Sequence, residues 1–218
     1  MITILAGGVG GARFADGVAK VSDPDAISII VNTADDFDHY GLRICPDIDT
    51  VMYNLAGIAD PVNGWGIAGD TRATLDGIAA YGEDPWFLLG DRDFSTHILR
   101  TSWLKNNIPL TSVIYFLRSR LGIASQILPM TDQPVATMIE TAEGTLAFQD
   151  YFVRRRQADD VTGVTFAGIE NALPTEPATT ALDQADLILL APSNPIVSIG
   201  PILAIPTYRN ALANRTSP

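Results

Sequence analysis

The sequence predicts an α/β fold, a Rossmann-like parallel sheet with a helical insertion and a small β excursion. Two observations carry this. ITILA (Ile2–Ala6), ISIIVN (Ile27–Asn32) and DLILLAP (Asp186–Pro192) are short continuous apolar runs, the pattern of strands buried on both faces. Segments of helical spacing separate them, as parallel strands require.

The elements follow in order. After ITILA comes a glycine-rich loop, then ARFADGVAKV as a helix, then ISIIVN as the second strand. The middle reads as helices. DTVMYNLAGIA starts with Asp49 as a capping residue, and TRATLDGIAAYG ends on Gly82. STHILRTSWLKNN is next, then PLTSVIYFLRSRLG with Pro109 near its first turn. TMIETAEGTLAFQDYFV reads as two strands around an Ala-Glu-Gly turn. GVTFAGIE is expected to return to the main sheet, TTALDQA to form a helix, and DLILLAP to be the last buried strand. The expected organisation is one α/β domain over 1–218, with a helical insertion over roughly 40–125.

Composition narrows the function. A chain of 218 residues, 47% apolar and 18% charged, can bury a real core. A net charge of −11 argues against a nucleic-acid partner. The single cysteine, Cys45, forms no internal disulfide, which fits a reducing cytosol. No basic leader precedes an apolar stretch at the N-terminus. The richest apolar run, DLILLAPSNPIVSIGPILAIP, is broken by four prolines, so no membrane span is expected. The expected location is cytoplasmic.

Three polar clusters carry the chemistry. In LAGGVGGARFADG, Gly7, Gly8, Gly10 and Gly11 stand between a strand and a helix. There the amides and the helix N-terminus favour a phosphate. A tight turn packing helix on strand is the simpler alternative. The dinucleotide fingerprint is not met, because its third glycine position is Arg13, and no Gly-Lys-Ser/Thr follows. The second cluster, NTADDFDHYGLRICPDIDT, carries Asp35, Asp36, Asp38, Asp47 and Asp49. Asp35 and Asp36 should lie beyond a strand's carboxyl end, where paired carboxylates suit Mg²⁺ with a substrate phosphate. A solvated loop with a helix cap at Asp47 or Asp49 competes evenly. In APSNPIVSIGPIL, Ser193 and Asn194 can donate to phosphate or base, or Asn194 can satisfy its own turn. Two such loops at strand ends favour one shared site. In LGDRDFSTH, Arg92 suits an anion or a polar ring edge, whereas His97 reads as structural. The run Arg154–Arg156 reads as an exposed strand end, with a phosphate clamp as the alternative.

LAGG followed by Gly and Arg partly resembles sugar-phosphate nucleotidyltransferases, whose arginine lies one residue closer to the glycine. A fuller likeness rests on LAGGVGGARF, VNTADDF, GLRICPDIDTVMYNLAG, WFLLGDRDFSTHILRT, ILPMTDQPV, FQDYFVRRR and LLAPSNPIVSIGPILAIP. In this order the chain resembles the 2-phospho-L-lactate transferases, with the bacterial phosphoenolpyruvate transferases, of coenzyme F-420 biosynthesis. The resemblance implies transfer of a phospho-three-carbon acid from a guanosine diphosphate-linked donor to the hydroxyl of the deazaflavin Fo (7,8-didemethyl-8-hydroxy-5-deazariboflavin). GMP is released and Mg²⁺ is implied. It assigns Asp49 and Arg92 to Fo, Asp35 and then Asp36 to the metal, and Gly8, Gly10, Gly11, Ser193 and Asn194 to the guanosine diphosphate. It leaves the general base open and suggests a homodimer. ILPMTDQP and FQDYFVRRR look like the bacterial branch, which suggests an enolpyruvyl donor. Family members continue beyond ANRTSP, so the chain reads as cut short, and an incomplete sheet predicts poor solubility or low activity. The alternatives are a nucleotide-sugar-binding regulator of related fold and a sugar-phosphate nucleotidyltransferase.

Overall fold

The computed structural model describes residues 1–214. Strand β1 (Ile2–Ala6) leads into helix α1 (Gly8–Val21), and β2 (Ile27–Val31) follows. A short hairpin, β3 (Phe37–His39) and β4 (Leu42–Ile44), precedes α2 (Pro46–Leu55). Helices α3 (Ala73–Ala80), α4 (Asp91–Lys105) and α5 (Leu110–Arg120) come next. Then follow β5 (Gln126–Pro129), β6 (Ala136–Thr141), β7 (Gly144–Ala147) and β8 (Val161–Ala167). The described chain closes with α6 (Glu176–Asp183), β9 (Leu187–Leu190), α7 (Ile199–Ala204) and α8 (Pro206–Ala213).

The main sheet is parallel, in the order β5-β2-β1-β9. Successive strand residues point to opposite faces, and both faces are covered. Ile4, Ile29 and Ile127 pack with Ala12, Ile48, Met52 and Val113, so α1, α2 and α5 cover one side. Leu5, Ile30 and Leu128 pack with Leu182, Ile202 and Tyr208, so α6, α7 and α8 cover the other. Burial on both sides is why β1 and β2 read as unbroken apolar runs.

Several details differ from the sequence reading. FQDYFV does not continue a strand: β7 ends at Ala147, Asp150–Arg154 is a short helical segment, and Arg154–Arg156 stand exposed at its end rather than at a strand end. β5 adds a fourth strand to the main sheet that the apolar runs did not show. GVTFAGIE does not return to the main sheet: β8 pairs antiparallel with β6 in a separate sheet of order β7-β6-β8. Its residues are half-buried or exposed, as suits a sheet with one solvated face. Strand β9 is not fully buried. It pairs with β1, and no described strand lies on its other side, so Leu190 is 55% exposed. Helix α2 starts three residues before Asp49, with Pro46 in its first turn and Cys45 at the cap. Finally, Gly8, Gly10 and Gly11 belong to the first turn of α1 rather than to a preceding loop. No helix among the described residues is long and apolar enough to cross a membrane.

Candidate functional site

The carboxyl ends of β1, β2 and β9 open onto one cavity of about 560 Å³. Helix α1 begins at the end of β1, the acidic segment follows β2, and the Pro192–Val197 turn follows β9. This is where ligands bind in open α/β sheets. Its lining is of two kinds. Gly8, Gly10, Asp35, Asp47, Ser193 and Asn194 supply a polar group, and Ile44, Phe87, Leu88, Phe148 and Phe152 an apolar one, with Trp65 also on the wall.

Within the polar group, Asn32 organises two carboxylates. Its side-chain NH₂ shares two N–H donors among three acceptors, Asp35 Oδ2 (3.0 Å), Asp47 Oδ2 (3.0 Å) and the Val197 carbonyl (3.2 Å). Its own Oδ1 accepts from the Ala34 amide, fixing the rotamer. Asp47 also accepts from the Gly8 amide, so a carboxylate already faces the start of α1. Burial pushes the Asp47 carboxyl up to about 6, against these hydrogen bonds. Asp35 is pushed well above the usual carboxylate range, first by burial and then by the charge of Asp47. Asp35 Oδ1 is buried with no hydrogen-bond partner.

The glycines are needed here for close approach. A Cβ on Gly7 would fall 2.6 Å from Asp47 Oδ2, and one on Gly10 would strike the Pro192 carbonyl. Gly8 has φ +64°, a left-handed conformation that glycine takes without penalty. Ser193 Oγ accepts from the Gly7 amide (3.2 Å). Asn194 Oδ1 accepts from the Ile196 and Val197 amides, so its oxygen closes its own turn while its NH₂ is the group able to donate to a ligand.

A second buried network stands on the same wall. Arg100, fully buried on α4, forms a two-pronged pair with Asp49: Nη1 donates to Oδ2 at 3.0 Å and Nη2 to Oδ1. Its Nη1 also reaches the Arg43 carbonyl (3.2 Å). His97 lies between the acids, with Nδ1 3.7 Å from Asp49 Oδ2 and Nε2 3.2 Å from Asp93 Oδ1. Tyr53 Oη donates to Asp93 Oδ1 at 2.6 Å. Burial pushes Asp93 up, but His97, Tyr53 and Arg100 together hold it below the usual range.

Asp49, Asp93 and His97 offer ligand atoms within 4.8 Å of one another, a spacing able to hold a metal ion. The charges decide between this cluster and the other. Arg100 already neutralises Asp49, and a second cation beside a buried guanidinium is repelled. Asp35 and Asp47 have no cation among the groups that shift them, one Asp35 oxygen without a hydrogen bond, and only oxygen ligand atoms. That set fits a hard divalent cation such as Mg²⁺.

Of the site residues expected from the sequence, Gly8, Gly10, Asp35, Asp49, Ser193 and Asn194 line the cavity, whereas Gly11, Asp36 and Arg92 do not. Asp36 faces Arg43 instead, at 3.9 Å, with both oxygens lacking a hydrogen bond, and burial pushes it up to about 7. Arg92 is not joined to Asp49. It donates to the Ala68 carbonyl and lies 3.8 Å from Asp70. Asn32, Asp93 and Arg100 were not singled out from the sequence, Asp47 was weighed as a helix cap, and His97 was read as structural. The spacing of Asp93, His97 and Arg100 puts them on one helix face and was the available signal.

Known proteins complete the picture. Residues 2–218 match the family described as 2-phospho-L-lactate transferase CofD. The phosphoenolpyruvate transferase of Streptomyces coelicolor is 43% identical over 222 residues, covering 100% of this chain and 70% of that protein. The phosphoenolpyruvate transferase of Mycobacterium bovis is 40% identical over 237 residues, covering 100% and 72%. A crystal structure of a upf0052 family protein from Bacillus halodurans superposes with a TM-score of 0.69 at 16% identity, covering 99% of this chain and 66% of that one. That likeness shows the α/β fold. The chain belongs to the CofD family of transferases.

Proposed function

We propose that the chain transfers a phospho-three-carbon acid, 2-phospholactyl or phosphoenolpyruvyl, from a guanosine diphosphate-linked donor to the hydroxyl of the deazaflavin Fo, in coenzyme F-420 biosynthesis. The observation that carries this reading is one cavity whose lining is of two unlike kinds. The polar residues suit a charged diphosphate and the apolar ones a flat, largely apolar ring.

The donor's diphosphate lies against Gly8 and Gly10, flanked by Ser193 and Asn194. Asp35 and Asp47 hold Mg²⁺, which when bound neutralises phosphate charge. Asp36 buttresses this segment from behind through Arg43. The acceptor ring lies among Ile44, Phe87 and Phe152, with Asp49 presented to it. Arg100 fixes that carboxylate in one orientation, so a ring donor meets a prepaid geometry. Arg92 serves the acceptor from the rim. The hydroxyl oxygen bonds to the donor's distal phosphorus as the bond to the GMP oxygen breaks, and the hydroxyl proton is released. Positioning and charge neutralisation suffice for such a transfer, with no covalent nucleophile.

The test is direct. The purified chain is incubated with Fo, Mg²⁺ and each guanosine diphosphate-linked acid, and products are separated chromatographically. GMP equal to the Fo consumed is expected. Pyrophosphate released from a nucleoside triphosphate and a sugar phosphate, with no Fo consumed, would replace this reading by the nucleotidyltransferase one.

A further inference from the structure

The chain has three tryptophans. Trp86 packs against Phe37, His39 and Phe87, and Trp103 against Phe116. Trp65 has no ring partner among the described residues, is 42% exposed, and lines the cavity. A large aromatic surface left open at a cavity is unused binding area.

The segment that carries it, 57–72, is built rather than loose. Ala59 and Ile67 pair across it. Gly64 and Gly66, with φ +79° and +70°, turn the backbone on either side of Trp65. Asn54 Nδ2 donates to the Gly64 carbonyl (2.9 Å). From α1, Arg13 donates to the carbonyls of Pro61 (3.2 Å) and Val62 (3.5 Å). From α4, Arg92 donates to the Ala68 carbonyl. A Cβ on Gly64 would strike Val9 (2.5 Å) and Arg13 (2.9 Å). The tip is thus pressed onto the first turns of α1, beside the residues proposed for the diphosphate.

We propose that Trp65 is the platform on which the donor's nucleobase stacks, and that Arg13 and Arg92 are positioning residues that hold it there. This rests on the reading of the α1 end as the nucleotide site. Stacking energy follows ring overlap, so the platform favours a purine over a pyrimidine nucleotide. It gives Arg13 a task without direct contact to substrate, and Arg92 a second one beside its place at the acceptor's rim.

The experiment measures binding of GDP and UDP, with Mg²⁺, to the whole chain by calorimetry and by tryptophan fluorescence. GDP should change the fluorescence of the wild type, and Trp65→Phe should abolish that change while keeping affinity within about threefold. Trp65→Ala should weaken GDP about tenfold or more and UDP far less. Arg13→Met should weaken GDP in the same direction. Unchanged GDP affinity in Trp65→Ala, or an equal loss for GDP and UDP, overturns the stacking proposal while leaving the nucleotide site standing. No GDP binding by a folded wild type overturns the nucleotide reading itself.

Discussion

Asp35 with Asp47, and Asp49 with Asp93, are two buried carboxylate pairs on the wall of one cavity. Both are nearly excluded from water, yet they are treated differently. Around Asp49 and Asp93 the fold supplies a guanidinium, an imidazole and a phenol. Around Asp35 and Asp47 it supplies only neutral donors, the Asn32 side-chain amide, the Gly8 backbone amide and the Thr137 hydroxyl, and no cation. A buried charge without compensation is costly. The uncompensated pair therefore marks where a cation from outside belongs, and the compensated pair marks a rigid wall. Acidity alone would have treated the two alike.

The largest way to break that contrast is Arg100→Met. It strips the compensated pair of its cation and should destabilise the chain by about 3–5 kcal/mol in urea unfolding. A loss below about 1 kcal/mol would mean that the network compensates little. Next is Asp35→Asn, which should cost about a hundredfold or more in Mg²⁺-dependent turnover, roughly 3 kcal/mol. The same substitution should leave the fold intact, since it removes an unpaired charge. A third test is pH. Asp35, Asp36 and Asp47 bind protons more tightly folded than unfolded. Between the ordinary carboxylate range and about 7 the native state therefore holds the excess protons, and stability falls as pH rises through that window. Without divalent cations, unfolding free energy should drop by about 2 kcal/mol from pH 5 to pH 8, and saturating Mg²⁺ should flatten the slope. A rise over the window would contradict the assignment. The smallest effect is expected from Tyr53→Phe, which removes the hydrogen bond to Asp93. It should cost about 1 kcal/mol with the Mg²⁺ response unchanged.

How much of this was legible differs between fold and site. β1, α1 and β2 could be read because continuous apolar runs and a helical stripe are local signals. The β3–β4 hairpin could not, since three residues per strand leave no period to detect. β8 was misplaced because strand partners are set by tertiary pairing. In the site, Asp35, Asp49 and Gly8 were visible through position after a strand and through family likeness. Asp47 was visible but undecided, because cap and ligand demand the same residue type. Arg100 was invisible as a counter-charge, since its partner Asp49 lies 51 residues away and only packing brings them together. Arg92 was visible as a motif, but its contacts with Ala68 and Asp70 depend on how segment 57–72 folds back.

The decisive measurement is the Mg²⁺-induced rise in thermal midpoint, read against EDTA, for the wild type, Asp47→Asn and His97→Gln. The wild type and His97→Gln should both be stabilised by Mg²⁺, and Asp47→Asn should show no shift. If Asp47→Asn kept the response and His97→Gln lost it, the cation would belong to the Asp49, Asp93 and His97 cluster, and the contrast drawn between the two pairs would be reversed.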